Sequence, residues 1–331
     1  MSTGAGVRTD GAVELAQVTR GGFVESRHFG HAVVVGPDGK PQQAWGDPEL
    51  AILPRSSLKP FQALASLTAG AALADRTLAV ACGSHTGEPF HIDAVDRILD
   101  SCGLTRDALR NVPALPENAE VRDAWVRAGR GPAPAAMNCS GKHAAMLAAC
   151  VHQGWDTATY THPDHPLQQH VRATLSRLAA EPVDTVVVDG CGAPCPALTL
   201  SGLARAGAAL ATAPLGSPER AVADAMRTYP EYVGGTGHLN TRFAQLVPGS
   251  LAKGGAEGVF LAALADGTAV AVKAVDGSPR ATTAVAVAAL RATGQALPPL
   301  PELEDVPVEG GGRRVGAVHV MIGTPEGREQ R

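Results

Sequence analysis

The chain has 331 residues, of which 45% are hydrophobic and 18% charged, and its formal net charge is −4. Those values describe a globular protein with room for one large domain or two ordinary ones. They carry no electrostatic footprint for nucleic acid, since there is no basic stripe or interleaved aromatic series.

In chain order the pattern is strand, then helix, then strand. Residues 13–19, 23–26 and 31–35 read as strands, and Gly36-Pro37-Asp38-Gly39 is a strong turn signal. Helical patterning follows over 57–69, 91–102, 105–109, 140–153 and 166–180, with Gly70, Gly103 and Gly154 where helix C-caps would fall. The apolar run 183–188 predicts a buried strand ending at Asp189-Gly190-Cys191. Helices are then expected over 201–212 and 218–228. Strands at 258–264 and 269–275 are joined by Asp266-Gly267, the best hairpin signal in the chain. A helix over 281–293 precedes a final strand at 315–322. The stretch 298–314, with four prolines and Gly310-Gly311-Gly312, is read as a surface connection. Strands at both ends around a helical middle predict a discontinuous α/β (α+β) architecture. Its sheet domain would comprise 1–85 and 245–331, a mainly helical domain 86–244, and the active site would lie at their junction.

No segment offers about 18 uninterrupted apolar residues, and the polar start at 1–11 lacks the apolar run of a secretion signal. The six cysteines are scattered and read as thiols of a reducing compartment. A cytoplasmic protein without membrane or nucleic-acid partners is therefore expected.

Arg55-Ser56-Ser57-Leu58-Lys59 places a hydroxyl and an amine one helical turn apart. A lysine that burial or a second cation keeps neutral can take the serine proton; the plain alternative is an ordinary helix start. Ser84 lies in the small-residue turn Cys82-Gly83-Ser84-His85, and Lys253 heads Gly254-Gly255. An early S-x-x-K with a late K-x-G is the layout of penicillin-recognising serine enzymes, and serine glutaminases are similar.

A further constellation combines Asn138-Cys139-Ser140-Gly141-Lys142-His143 with Cys191-Gly192-Ala193-Pro194-Cys195. Cys139 would sit at a helix N-terminus, which acidifies a thiol. Cys139, Lys142 and Cys191 could converge on zinc, with His143 as a more ordinary fourth candidate; buried structural cysteines are the plain alternative. His162-Pro163-Asp164-His165-Pro166 is read as a loop entering a helix, and Gly234-Gly235-Thr236-Gly237 as a flexible loop.

Taken together, Glu25-Ser26-Arg27-His28-Phe29-Gly30, Arg55 to Pro60, Cys82 to His85, Asn138 to His143, Asp189 to Pro194 and Lys253 to Gly258 occur in an order that resembles the Rhizobium etli-type (class 3) L-asparaginases. The resemblance implies a serine β-lactamase-like and glutaminase-like fold, a homodimer, and release of L-aspartate and ammonia from L-asparagine. It further implies Ser56 as nucleophile with Lys59 as its proton acceptor, and Ser84 and Lys253 as a second Ser–Lys tandem. Zinc would be held by Cys139, Lys142 and Cys191, with Cys195 as a competing thiol. Arg55, His143 and Asp189 would lie near the substrate, Arg55 at its α-carboxylate and Asp189 at its α-ammonium. A glutaminase, another ω-amidase, a β-lactam-active hydrolase or a silent amino-acid-binding protein would use the same scaffold.

Overall fold

A computed structural model describes residue 6 and residues 9–323; most of the polar start at 1–11 lies outside them. Strands β1 (Val13–Arg20) and β2 (Phe23–Val35) form an antiparallel hairpin. After the expected turn, β3 (Pro41–Trp45) returns along the second half of β2. The short strand β4 (Ala51–Ile52) leads to a 3-10 turn, Arg55–Leu58, which runs directly into α1 (Lys59–Thr68). The helical middle contains α2 (Asp75–Ala81), α3 (Pro89–Ser101), α4 (Ala119–Arg127), α5 (Ser140–Gln153) and α6 (Pro166–Ala179). Next come β5 (Val186–Val188), β6 (Pro194–Pro196) and β7 (Leu198–Thr199), then α7 (Leu200–Ala211), α8 (Pro218–Thr228), α9 (Pro230–Val233) and α10 (Leu239–Leu246). The chain closes with β8 (Leu251–Gly255), β9 (Val259–Ala263), β10 (Ala269–Ala274), α11 (Thr282–Ala292), α12 (Pro301–Glu304), β11 (Val306–Gly310) and β12 (Arg313–Val320).

The main sheet is antiparallel throughout, in the order β11-β12-β1-β2-β10-β9-β8, with β3 on the second half of β2. Both ends of the chain thus build one sheet, as the strand–helix–strand pattern predicts. Alternation assigns its two faces. Val33, Val35, Leu261 and Ala271 join the core shared with the helical middle, whereas Ala32, Val34, Phe260 and Val272 join a second core beneath α11. Helix α7 packs on the first face across β2, β9 and β10, and α11 packs on the second.

Several expectations are corrected. The strand at 183–188 shortens to β5 and is not buried: it pairs only with β6, and Val188 is 74% exposed. An apolar run alone could not separate a buried strand from a surface ribbon. Part of the supposed connection 298–314 is β11, which pairs with β12 through a Gly311-Gly312 turn. Residues 105–109 make only a 3-10 turn, Arg106–Ala108. Helix α4 left no apolar stripe to read, because none of its residues is buried; it is held at its start by Asn118 Oδ1, which accepts from the Val121 N–H at 3.1 Å. Among the described residues no helix is long and apolar enough to cross a membrane.

Candidate active site

Three lysines in this chain are almost completely buried: Lys59 and Lys253 at 1% exposure and Lys142 at 2%. Burying an ammonium is costly, so each needs a partner or must give up its proton. Two of the three meet at one hydroxyl. Lys59 Nζ, at the start of α1, lies 2.9 Å from Ser84 Oγ, and Lys253 Nζ, on the edge strand β8, lies 2.7 Å from the same oxygen. The Asn138 carbonyl accepts from Lys59 at 3.0 Å, and the Gly254 carbonyl accepts from Lys253 at 2.8 Å.

Local sequence explains how these groups meet. Ser84 sits in the turn after α2, and its N–H donates to Val233 O at 2.8 Å. Gly83 makes that approach feasible, since a Cβ there would lie 2.7 Å from Tyr232 O. At Gly255 a Cβ would lie 2.5 Å from Pro54 O. The glycine after Lys253-Gly254 therefore lets β8 press against the Arg55–Leu58 turn that leads to Lys59.

Burial is the main force driving the Lys253 amine well below its ordinary range, and the neighbouring Lys59 charge adds to it. Lys253 is thus the amine prepared to act as a base. Ser56 occupies the half-buried 3-10 turn, and among the described residues no hydrogen bond from its hydroxyl is found. The expected pairing of Ser84 with Lys253 is present as a direct contact. Lys59 donates to Ser84, and among the described residues no hydrogen bond joins it to Ser56.

Arg55 Nε donates to Asp189 Oδ1 at 2.7 Å. Burial works against the Asp189 charge, but Lys142 and Arg55 hold its carboxyl below the ordinary range. Arg55 has φ +53°, a left-handed conformation that costs a non-glycine residue of order 1 kcal/mol or more. Its side chain is 23% exposed against 9% for Asp189, and it lines a cavity of about 320 Å³ with Ile52, Leu53, Val187 and Glu257. The guanidinium is therefore the solvent-facing member of the pair.

His143 is completely buried; Tyr160 Oη lies 2.6 Å from its Nδ1, and the same Oη accepts from the Arg110 N–H at 3.0 Å. The tautomer that satisfies all three groups has Tyr160 donating to Nδ1, which leaves the proton on Nε2. Among the described residues that Nε2 has no hydrogen-bond partner, and burial with the Lys142 and Lys59 charges keeps the ring neutral.

The thiols form a separate cluster. Cys139, at the N-terminus of α5, packs against Cys191 and Ala193, and Lys142 Nζ lies 3.1 Å from Cys191 Sγ. A hydrogen bond from Cys191 lowers the Cys139 thiol, helped by Lys59 and Lys142, while Cys191 is raised by donating that bond and by burial. Burial opposes the Lys142 ammonium, but Cys191, Cys139 and Asp189 outweigh it. Cys195 lies in β6, where its thiol is 4.0 Å from Pro196 O and also meets the Arg55 backbone; burial raises it. Among the described residues no group of three or more His, Cys, Asp or Glu is arranged to hold a metal. The Cys139–Lys142–Cys191 set contains only two such side chains. Its two soft sulfurs and one amine nitrogen nevertheless form a donor set of the kind zinc accepts, provided the lysine binds as the free amine.

The glycine-rich loop 234–237 is anchored rather than free. Thr236 N–H donates to Glu88 Oε2 at 2.9 Å, next to the Ser84 turn. The loop leads to His238 and Asn240, which had no signal in the sequence because neither stands in a recognisable motif. Asn240 Oδ1 accepts from the Gly254 N–H at 2.8 Å, immediately beside Lys253. The loop at 162–166 enters α6 as expected, with His165 Nδ1 accepting from the Leu167 N–H at 3.1 Å.

The model of a family described as L-asparaginase II matches residues 16–320. The chain belongs to the L-asparaginase II family. Membership makes this asparaginase-family protein an amidohydrolase with a small-molecule amide as substrate. Comparison with curated proteins gives no significant match. Among solved structures, a β-lactamase from Mycobacterium bovis is similar at 17% identity and a TM-score of 0.45, over 80% of this chain and 95% of that one. Mglu in its native form, in 4.3 M NaCl, is similar at 16% identity and a TM-score of 0.43, over 77% of this chain and 59% of that one. Likenesses that distant carry no inference about chemistry.

Proposed function

We propose that this family member is a Rhizobium etli-type L-asparagine amidohydrolase working through a serine acyl-enzyme, and the observation that carries the mechanism is the convergence of two buried lysines on Ser84 Oγ. Neutral Lys253 accepts the Ser84 proton as Oγ attacks the side-chain amide carbon. The proton is passed to the departing nitrogen, ammonia leaves, and an aspartyl ester remains. Water then attacks the ester carbonyl and gives its proton to Lys253. The bond to Ser84 breaks, Ser84 recovers the proton, and L-aspartate is freed. Lys59 supplies the second cation that keeps Lys253 deprotonated. This division of labour differs from the one the resemblance implies, in which Ser56 attacks and Lys59 takes its proton. The Arg55–Asp189 pair suits a zwitterion, with Arg55 at the α-carboxylate and Asp189 at the α-ammonium. The His143 Nε2–H offers one further donor.

Asparagine is preferred to glutamine on this reading, although one extra methylene is worth only about 1–3 kcal/mol of discrimination. The test is ammonia release from L-asparagine and L-glutamine by the purified protein. Asparagine should be turned over with the higher kcat/KM. Faster glutamine turnover would make it a glutaminase, and no release from either amide would favour a silent amino-acid-binding protein.

Cys139, Lys142 and Cys191 would hold a zinc ion, which when bound would tie the three side chains into one charge-neutral unit and so fix the shape of the substrate side of the site. Elemental analysis is expected to give one zinc per chain, lost in Cys191→Ser and kept in Cys195→Ser. Zinc that survives Cys191→Ser would remove Cys191 from the set. A homodimer in the cytoplasm completes the proposal.

A further inference from the structure

Asn240 belongs to this site in a way that no motif announces. Gly254 faces Phe260 across the β8–β9 ladder, yet its N–H donates to Asn240 Oδ1 and its carbonyl accepts from Lys253 Nζ. In an extended strand the N–H and C=O of one residue point to the same side. Both groups of Gly254 therefore face the free edge of the sheet, where β8 is the last strand. The Asn240 amide and the Lys253 amine stand side by side along a single residue of that edge. Asn240 is only 3% exposed, and with Oδ1 committed to Gly254 its buried Nδ2 has no hydrogen-bond partner among the described residues. A buried N–H₂ of this kind normally holds an oxygen acceptor, and an ordered water is the commonest one.

We propose that Asn240 Nδ2 holds the hydrolytic water beside Lys253. This inference rests on the serine acyl-enzyme reading. The water oxygen accepts from Nδ2 and one water proton points to neutral Lys253 Nζ. As the oxygen adds to the ester carbonyl, Lys253 takes that proton. The carbonyl–Oγ bond of Ser84 then breaks, and Lys253 returns the proton to Oγ. Acylation uses the same base but not this water, so the two half-reactions respond differently to loss of Nδ2.

Asn240→Asp keeps an acceptor for the Gly254 N–H while removing the donor, and Asn240→Ala removes both. p-Nitrophenyl acetate serves as the probe, because it reports acylation and deacylation without requiring recognition of an amino acid. In both variants, folded by circular dichroism, a burst of about one nitrophenolate per chain is expected at close to the wild-type rate. The following steady state should be at least about tenfold slower. Hydroxylamine, a nucleophile that does not depend on the held water, should restore turnover in the variants more than in the wild type. A steady state at the wild-type rate would overturn the proposal. So would a burst slowed as much as the steady state, since that is the mark of a disturbed Lys253, and so would failure of the wild type to acylate. Wild-type protein that shows the ester burst but releases no ammonia from asparagine would fail the asparaginase reading and leave the role of Asn240 standing.

Discussion

A Ser84→Ala protein is expected to fold normally and to lose ammonia release from L-asparagine by about 10⁴-fold or more, the scale seen when a serine nucleophile is deleted. Nothing else in the contact pattern replaces that oxygen. Ser84 Oγ is the point at which Lys59 and Lys253 meet, at 2.9 and 2.7 Å, and its removal leaves two buried amines with no hydroxyl to activate. Ser56→Ala is the necessary companion. Its hydroxyl has no hydrogen bond among the described residues, so its loss should cost far less, within about 10²-fold. Steady-state assays on both variants, with mass spectrometry of the protein trapped during turnover, decide between them. A covalent adduct on Ser56, or full turnover by Ser84→Ala, would return the attack to Ser56.

The second large effect concerns pH. Lys253 must be unprotonated to act, so kcat/KM rises as pH climbs through its pKa. That pKa is depressed first by burial and then by the Lys59 charge. Lys59→Met removes the second cause and keeps most of the volume, so the Lys253 pKa moves up and the acid limb of the profile moves with it. The expected outcome is a limb displaced to higher pH by about one unit or more, with activity partly recovered at the alkaline end. A pH–rate profile of the two proteins measures this directly. A limb that stays in place, or moves to lower pH, would mean that Lys253 is not the base. Lys253→Met has no such recovery, because the base itself is gone.

Much of the architecture was readable because long apolar runs and turn residues record which segments the core surrounds. The apolar run at 32–35, buried on both faces of the sheet, and the Asp266-Gly267 turn placed the centre of the sheet, and the runs at 140–153 and 201–212 placed two core helices. What escaped was structure without such a record. Helix α4 has no fully buried residue and meets the core only through the half-buried Trp125, β11 hides among prolines and glycines, and β5 is apolar but lies on the surface. At the candidate site, residue types and order nominated Ser84, Lys253 and Lys59, which the fold brings together at one hydroxyl. Their pairing was not legible, since Lys59 is three residues from Ser56 in sequence yet reaches Ser84, 25 positions away. Asn240 was invisible for a similar reason: its role comes from a strand edge, and one-dimensional spacing does not encode which edge a strand exposes.

The order of strands in the sheet has a consequence for how the protein is made. The hairpin of β1 and β2 is synthesised well before its neighbours on either side, β12 and β10, which follow the whole helical middle. Until then β1 has no partner on its outer edge, and most of one edge of β2 is equally bare. Open edges of this kind pair readily with any extended segment that passes. On the proposed mechanism catalysis would not begin early either, because Lys253 arrives on β8 long after Ser84 has been synthesised. Activity in a growing chain would therefore report that β8 has taken its place at the edge of the sheet, and the interval before the late strands arrive is when this polypeptide most needs shielding from its neighbours.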